Sequence, residues 1–349
     1  MLSVMWTTIG QKRALELFEN SLRRGRPGRA YLLVGPAHVG KMTLARDLAM
    51  ALNCQRGVPP CGECASCRRI SAATHSDVQV IGLGKNADGK QQTEIGIEDI
   101  RQMQHSANLP PFEGKCKVFI IDGAELLSIE AANCLLKTLE EPAPTVVFVL
   151  LTAKEELLPL TVVSRCQRIE LALLPSAQAE SALTEKWSVE PQRARLLARL
   201  SHGRLGWAVN ATDQGWLDRH NEDTDELIAT IEGDLESRFA YAAQLATEFS
   251  QSRDAVQEKL GLFLDWWHDV LLVKAGLGDA VVNVDRMEPL GSMATGLSLE
   301  EIRSCIAAVE AARTQLKQNA NARLALEVFV LGLPGVGRTT KVSGASGVD

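Results

Sequence analysis

Lys41 closes the run Gly35-Pro36-Ala37-His38-Val39-Gly40-Lys41, which follows the apolar stretch Tyr31-Leu32-Leu33-Val34 and opens an Ala/Leu-rich segment. A strand feeding a glycine-bounded loop and then a helix turns backbone N–H groups and a helix N-terminus toward an anion, and a lysine at this spacing reaches the outer phosphates of a nucleotide. The next position normally carries the hydroxyl that ligates Mg2+; here it is Met42, with Thr43 one place later. A thioether is a poor ligand for a hard cation. Successive helical residues point about 100° apart, so Thr43 replaces the missing hydroxyl only with a local shift. A second apolar run, Val118-Phe119-Ile120-Ile121, ends on Asp122, where a carboxylate can serve the same cation. The expected cradle for ATP and Mg2+ is Gly35, Gly40, Lys41, Thr43 and Asp122, and its metal-binding half is degenerate.

Four of the eight cysteines, Cys54, Cys61, Cys64 and Cys67, fall within fourteen residues among glycines and prolines that permit tight turns. Four thiolates at this spacing suit tetrahedral Zn2+. The first gap is longer than in a paired C-x-x-C motif; the alternatives are an iron–sulfur cluster, which thiolates also hold, or free thiols. With all four positions taken by protein, such a metal braces a loop and activates no water. Cys116, Cys134, Cys166 and Cys305 are scattered through regular segments, as buried thiols in a reducing compartment would be.

These residues need a parallel sheet to position them. Short β-branched runs at 30–34, 78–81, 117–121, 145–151 and 167–171 alternate with helix-length segments, the pattern of strands covered on both faces. Beyond residue 173 strand signals fade, and helical spacing of apolar residues runs over 177–185, 192–200, 224–249, 254–275 and 298–331. Ser298 and Glu301 form a capping-box start, and 279–296 breaks the helical pattern as a connection. Trp266 and Trp267 are adjacent on a helix, so either one lies in the core and the other is partly exposed or at an interface, or both are simply core residues. The predicted organisation is an α/β domain over 1–171 with a zinc module about 54–67, a small helical domain over 172–212, a helical domain over 213–333, and a disordered tail over 334–349.

At 349 residues, 46% hydrophobic, 23% charged and a net charge of −6, the composition excludes a disordered chain and argues against a general nucleic-acid coat protein. Arg23-Arg24-Gly25-Arg26-Pro27-Gly28-Arg29 is a local basic cluster that suits either DNA phosphates or a solvated loop. Met1 to Gly10 lacks the basic and apolar regions of a secretory signal, and no segment has the roughly 20 apolar residues of a membrane span, so a cytoplasmic protein is expected.

The chain resembles the AAA+ clamp-loader subunits of bacterial DNA polymerase III over nearly its whole length, Ile9-Gly10-Gln11 through Leu333. The resemblance rests on Ala30-Tyr31-Leu32-Leu33-Val34-Gly35-Pro36, on the cysteine module after the phosphate-loop helix, and most specifically on Ala131-Ala132-Asn133-Cys134-Leu135-Leu136-Lys137-Thr138-Leu139-Glu140-Glu141-Pro142 followed by Ser164-Arg165-Cys166. It implies an AAA+ P-loop domain with an inserted zinc module, a helical lid domain and a helical collar through which five subunits form a ring. It makes Arg165 a finger reaching ATP on the adjacent subunit, a role for which a planar guanidinium is suited. Thr152 falls at the position that faces a γ-phosphate.

A hydrolysing member carries Glu directly after the strand-end Asp, but here it is Gly123; Glu125, two residues on, reads as a solvated carboxylate at a helix start in preference to a displaced base. The family's phosphate-facing lid arginine aligns with Trp207, and Arg204 lies three residues earlier. These departures imply a subunit with weak or no hydrolysis of its own, assembled with gamma/tau and delta subunits in a hetero-pentamer that places the sliding clamp on primed DNA. The alternative is an ATP-hydrolysing motor subunit of the gamma/tau kind, and a free-standing zinc-dependent nucleic-acid binder is the third.

Overall fold

The computed structural model describes residues 6–56, 60–84, 92–318 and 320–334. The tail expected to be disordered lies, from residue 335, outside the described residues. Two compact units are present: the described residues to Ser188 together with Ser201–Val209, and Val189–Leu200 with the described residues from Asn210.

The first unit contains, in chain order, helix α1 (Lys12–Arg23), strand β1 (Ala30–Val34), α2 (Lys41–Asn53), α3 (Ala65–Ser71), β2 (Val78–Ile81), α4 (Ile97–Ala107), β3 (Lys117–Asp122), α5 (Ile129–Glu140), β4 (Val146–Thr152), α6 (Leu160–Val163), β5 (Gln167–Glu170) and α7 (Ser176–Trp187). The five strands form one parallel sheet in the order β2-β3-β4-β1-β5. All five expected strands are present within a residue or so at each end, because runs buried on both faces carry a near-continuous apolar signal. The three inner strands are buried almost throughout, whereas β2 and β5, at the edges, keep polar residues exposed. Each face carries its own core. Tyr31, Leu33, Val118, Ile120, Val147 and Val149 pack on one side, and Leu32, Phe119, Ile121, Phe148 and Leu150 on the other.

Asp47 ties the start of the described chain to this core. It is fully buried on α2 and accepts hydrogen bonds from the backbone N–H and hydroxyl of both Thr7 and Thr8, at 2.7–3.0 Å.

The remaining helices are α8 (Pro191–Leu200), α9 (Leu205–Asn210), α10 (Gln214–Glu232), α11 (Leu235–Gln251), α12 (Arg253–Lys274), α13 (Met287–Gly296), α14 (Leu299–Lys317) and α15 (Ala322–Leu331). Three helical expectations need correction. The stretch 224–249 is two helices, because Gly233 ends α10 and the Asp234 side chain caps α11 by accepting from the Ser237 N–H. The stretch 298–331 is also two, since the Asn321 side chain caps α15. The connection at 279–296 contains a helix of its own, α13. The Ser298/Glu301 capping box opens α14 as expected.

Trp266 and Trp267 are both buried, at 1% and 0% exposure, which selects the reading with both in the core over the one with an outward-facing ring. The reason is the environment of α12: α10, α11, α13 and α14 all pack against it, so neighbouring directions on the helix both meet apolar partners.

Candidate nucleotide site, surface arginine and cysteine centre

β1 runs into the phosphate loop and α2 leaves it, with Gly40 capping the helix at φ 106, a backbone conformation that side chains avoid. The Lys41 ammonium folds back over the loop and donates to the carbonyls of Gly35 (2.6 Å) and Pro36 (2.7 Å). Burial lowers the Lys41 pKa, and the Glu125 and Asp122 carboxylates oppose that shift, so both acidic groups lie in its field. A phosphate binding here would exchange the two carbonyls for anionic oxygens.

The metal-binding half of the site is incomplete. Met42 is half-buried and packs on the core beside α2, while Thr43 is exposed. Asp122 stands exposed at the end of β3. Gly123 has φ 78 and ψ 52, and a Cβ added there would lie 3.0 Å from Leu126 Cδ1. Position 123 is thus held in the left-handed region, which disfavours any side chain.

Glu125 is not the solvated carboxylate expected from sequence. It is half-buried; one oxygen accepts from the Ala153 N–H at 3.1 Å, and the other is buried with no hydrogen-bond partner. Its local signal in the sequence, a charge opening a short turn, is the same for an exposed residue as for one facing the end of β4. Thr152 ends β4 fully buried, and its hydroxyl accepts from the Lys154 N–H at 3.1 Å.

The start of α9 reaches the loop through backbone, since the Gly206 N–H donates to the His38 carbonyl at 2.9 Å. Arg204 turns to its own chain: its Nε donates to the Ser201 carbonyl at 2.9 Å and its guanidinium lies 5.8 Å from the Trp207 ring centre.

Arg165 lies just past α6 and is a third exposed. Its Nε and Nη2 both donate to Glu140 Oε1, at 2.9 and 2.5 Å, and Nη1 donates to the Thr161 carbonyl at 2.9 Å. Glu140 is the last residue of α5, which Ser128 caps at its start and after which Pro142 precludes continuation. No periodicity links two residues 25 positions apart, so this pairing has no sequence signal beyond the presence of both in the quoted motifs. In the basic cluster Arg23 pairs with Glu19 at 3.2 Å, and Arg24, Arg26 and Arg29 are exposed.

The four clustered cysteines converge, with their sulfurs all within 4.8 Å of one another; Cys54, Cys64 and Cys67 are buried and Cys61 is half-buried. The Cys64 N–H points at Cys61 Sγ and the Cys67 N–H at Cys64 Sγ, each at 3.4 Å, an arrangement that stabilises thiolates. Desolvation raises the Cys64 thiol pKa, but the N–H groups of Gln55 and Cys67 outweigh it and bring the value to about 6. Desolvation and the Cys64 neighbour push Cys67 up to about 12. Four convergent sulfurs with N–H support fit a tetrahedral structural zinc. The scattered cysteines differ: burial pushes the Cys116 thiol up to about 11 and those of Cys166 and Cys305 up to about 12, and none joins a metal-ligating group among the described residues.

Among the described residues, no helix is long and apolar enough to cross a membrane. Residues 10–175 match the family model described as "DNA polymerase III, delta subunit", and 220–333 match that of its C-terminal part. The chain is 28% identical to DNA polymerase III subunit delta' of Bacillus subtilis, over 95% of this chain and 99% of that one. It is 35% identical to DNA polymerase III subunit tau of Escherichia coli over 65% of this chain, and it spans 35% of that longer relative. A gamma subunit-related protein of Thermotoga maritima superposes with a TM-score of 0.43 at 18% identity, covering 93% of this chain and 99% of that one. The parallel sheet and glycine-bounded loop of this chain, its four-cysteine module and two successive family matches give one answer: the chain belongs to the DNA polymerase III delta-subunit family.

Proposed function

We propose that this subunit hydrolyses little or no ATP itself and instead supplies Arg165 in trans to a nucleotide held by a neighbouring subunit. The observation that carries this reading is Gly123: the position that would hold the water-polarising glutamate is a glycine whose φ of 78 disfavours a side chain. Met42, turned into the core in place of a Mg2+-binding hydroxyl, points the same way. Gly35, Gly40, Lys41, Thr43, Asp122 and Thr152 then form a degenerate nucleotide site, and Cys54, Cys61, Cys64 and Cys67 hold a structural Zn2+. In this reading the division is a P-loop domain over 1–171, a lid over 172–212 and a collar over 213–333. The partners are gamma/tau and delta subunits in a cytoplasmic hetero-pentamer, and through them the sliding clamp and primed DNA.

A working motor subunit is the second reading, favoured by the 35% identity to tau over 65% of the chain. DNA-stimulated ATP turnover by a reconstituted clamp loader separates the two, with Arg165→Ala or Lys41→Ala introduced in this subunit alone. The finger reading expects Arg165→Ala to lower turnover by about a thousandfold at the sites it serves, with Lys41→Ala nearly silent. The reverse pattern identifies a motor.

A further inference from the structure

We infer that Glu140 is a positioning residue for Arg165, holding the guanidinium in the pose from which it meets the neighbouring nucleotide. The inference rests on the finger reading above and adds a residue to it. An arginine a third exposed ordinarily samples many rotamers, and each one it must leave on docking lowers the rate of a step that needs it. Here the Nε/Nη2 edge is engaged by one carboxylate oxygen of Glu140, at 2.9 and 2.5 Å. The opposite side is engaged by the Thr161 carbonyl on Nη1 at 2.9 Å, so both the plane and the direction of the group are determined.

Two protons of the five remain available. One is on Nη2, and the other, on Nη1, has only a 3.4 Å contact to Ser164 Oγ. Those two can receive phosphate oxygens while the other three bonds persist. The anchor is carried on regular structure, because Glu140 sits in the last turn of α5 and α5 packs against α6. The Glu140 charge partly offsets the pull of the guanidinium on a phosphate, so its value lies in geometry and not in field strength. A neutral acceptor in the same place should therefore serve nearly as well.

The test is DNA-stimulated ATP turnover by the reconstituted complex carrying Glu140→Ala, Glu140→Gln, Arg165→Ala or Glu140→Ala/Arg165→Ala in this subunit, with assembly checked by gel filtration. Positioning predicts that Glu140→Ala lowers kcat about tenfold with KM for ATP nearly unchanged. Glu140→Gln restores most of the turnover, and Glu140→Ala adds nothing once Arg165 is gone. Equal damage by Ala and Gln, or an undiminished effect of Glu140→Ala in the Arg165→Ala background, overturns the inference. If Arg165→Ala is damaging and Glu140→Ala silent, the positioning role fails while the finger stands. If Arg165→Ala is itself silent, the finger reading fails and the positioning role falls with it.

Discussion

Glu140 and Arg165, 25 residues apart, meet through two hydrogen bonds to a single carboxylate oxygen, and both side chains remain partly exposed. Ion pairs in such surroundings are screened and contribute about 0–1 kcal/mol. Glu140→Ala should therefore lower the unfolding free energy of the isolated subunit by no more than about 1 kcal/mol. A larger loss in urea unfolding would mean that the pair supports the fold.

The cysteine centre predicts about one zinc per chain by atomic absorption. Any one of Cys54, Cys61, Cys64 and Cys67 changed to Ser should abolish stoichiometric metal, whereas Cys305→Ser should retain it. Because the Cys67 thiol, pushed up to about 12, carries its proton at neutral pH, metal binding must displace it. Proton release into a weakly buffered solution on zinc addition, and affinity that falls as pH is lowered, are the expected outcomes.

Gly123→Glu restores the residue type of a hydrolysing site but not its backbone. With φ at 78 and Leu126 3.0 Å from the new Cβ, the variant should lose about 1–3 kcal/mol of stability and gain no steady-state ATP turnover. Appearance of turnover would show that the loop relaxes around the side chain.

Asp47→Ala would leave the two donors of Thr8 without their acceptor in a buried place and would free the two donors of the exposed Thr7. A loss of about 2–3 kcal/mol is expected in chemical denaturation. Limited proteolysis should then cut first near residues 7–8, where the anchoring bonds are lost.

Asp77 answers to pH. Burial raises its pKa, but N–H donors from Phe112, Glu113 and Gly114 outweigh burial and hold the carboxyl below its usual value. A depressed acid contributes its full stabilisation above the unfolded-state pKa, about 3.9, and loses it as pH falls toward the folded value. Stability measured from pH 6 down should drop through about pH 4 in the wild type, and less steeply in Asp77→Asn.

The strands, the phosphate loop, the missing hydroxyl at Met42, the missing carboxylate at Gly123 and the four-cysteine set were all legible from sequence. Each is written in local order: an apolar run that reports burial on both faces, or a motif whose ligands lie within a few residues of one another. What sequence left open depends on partners far along the chain. The burial of both Trp266 and Trp267 follows from helices packed around α12, and periodicity on one helix reports nothing about how many neighbours it has. The half-buried state of Glu125 depends on Ala153 at the end of another strand. The hold of Glu140 on Arg165 exists because α5 and α6 pack together. Sequence alone determined which residue types stand in the phosphate loop, at the end of β3 and in the cysteine module; the tertiary structure decided which side chains meet, because orientation comes from contacts that only the folded chain brings together.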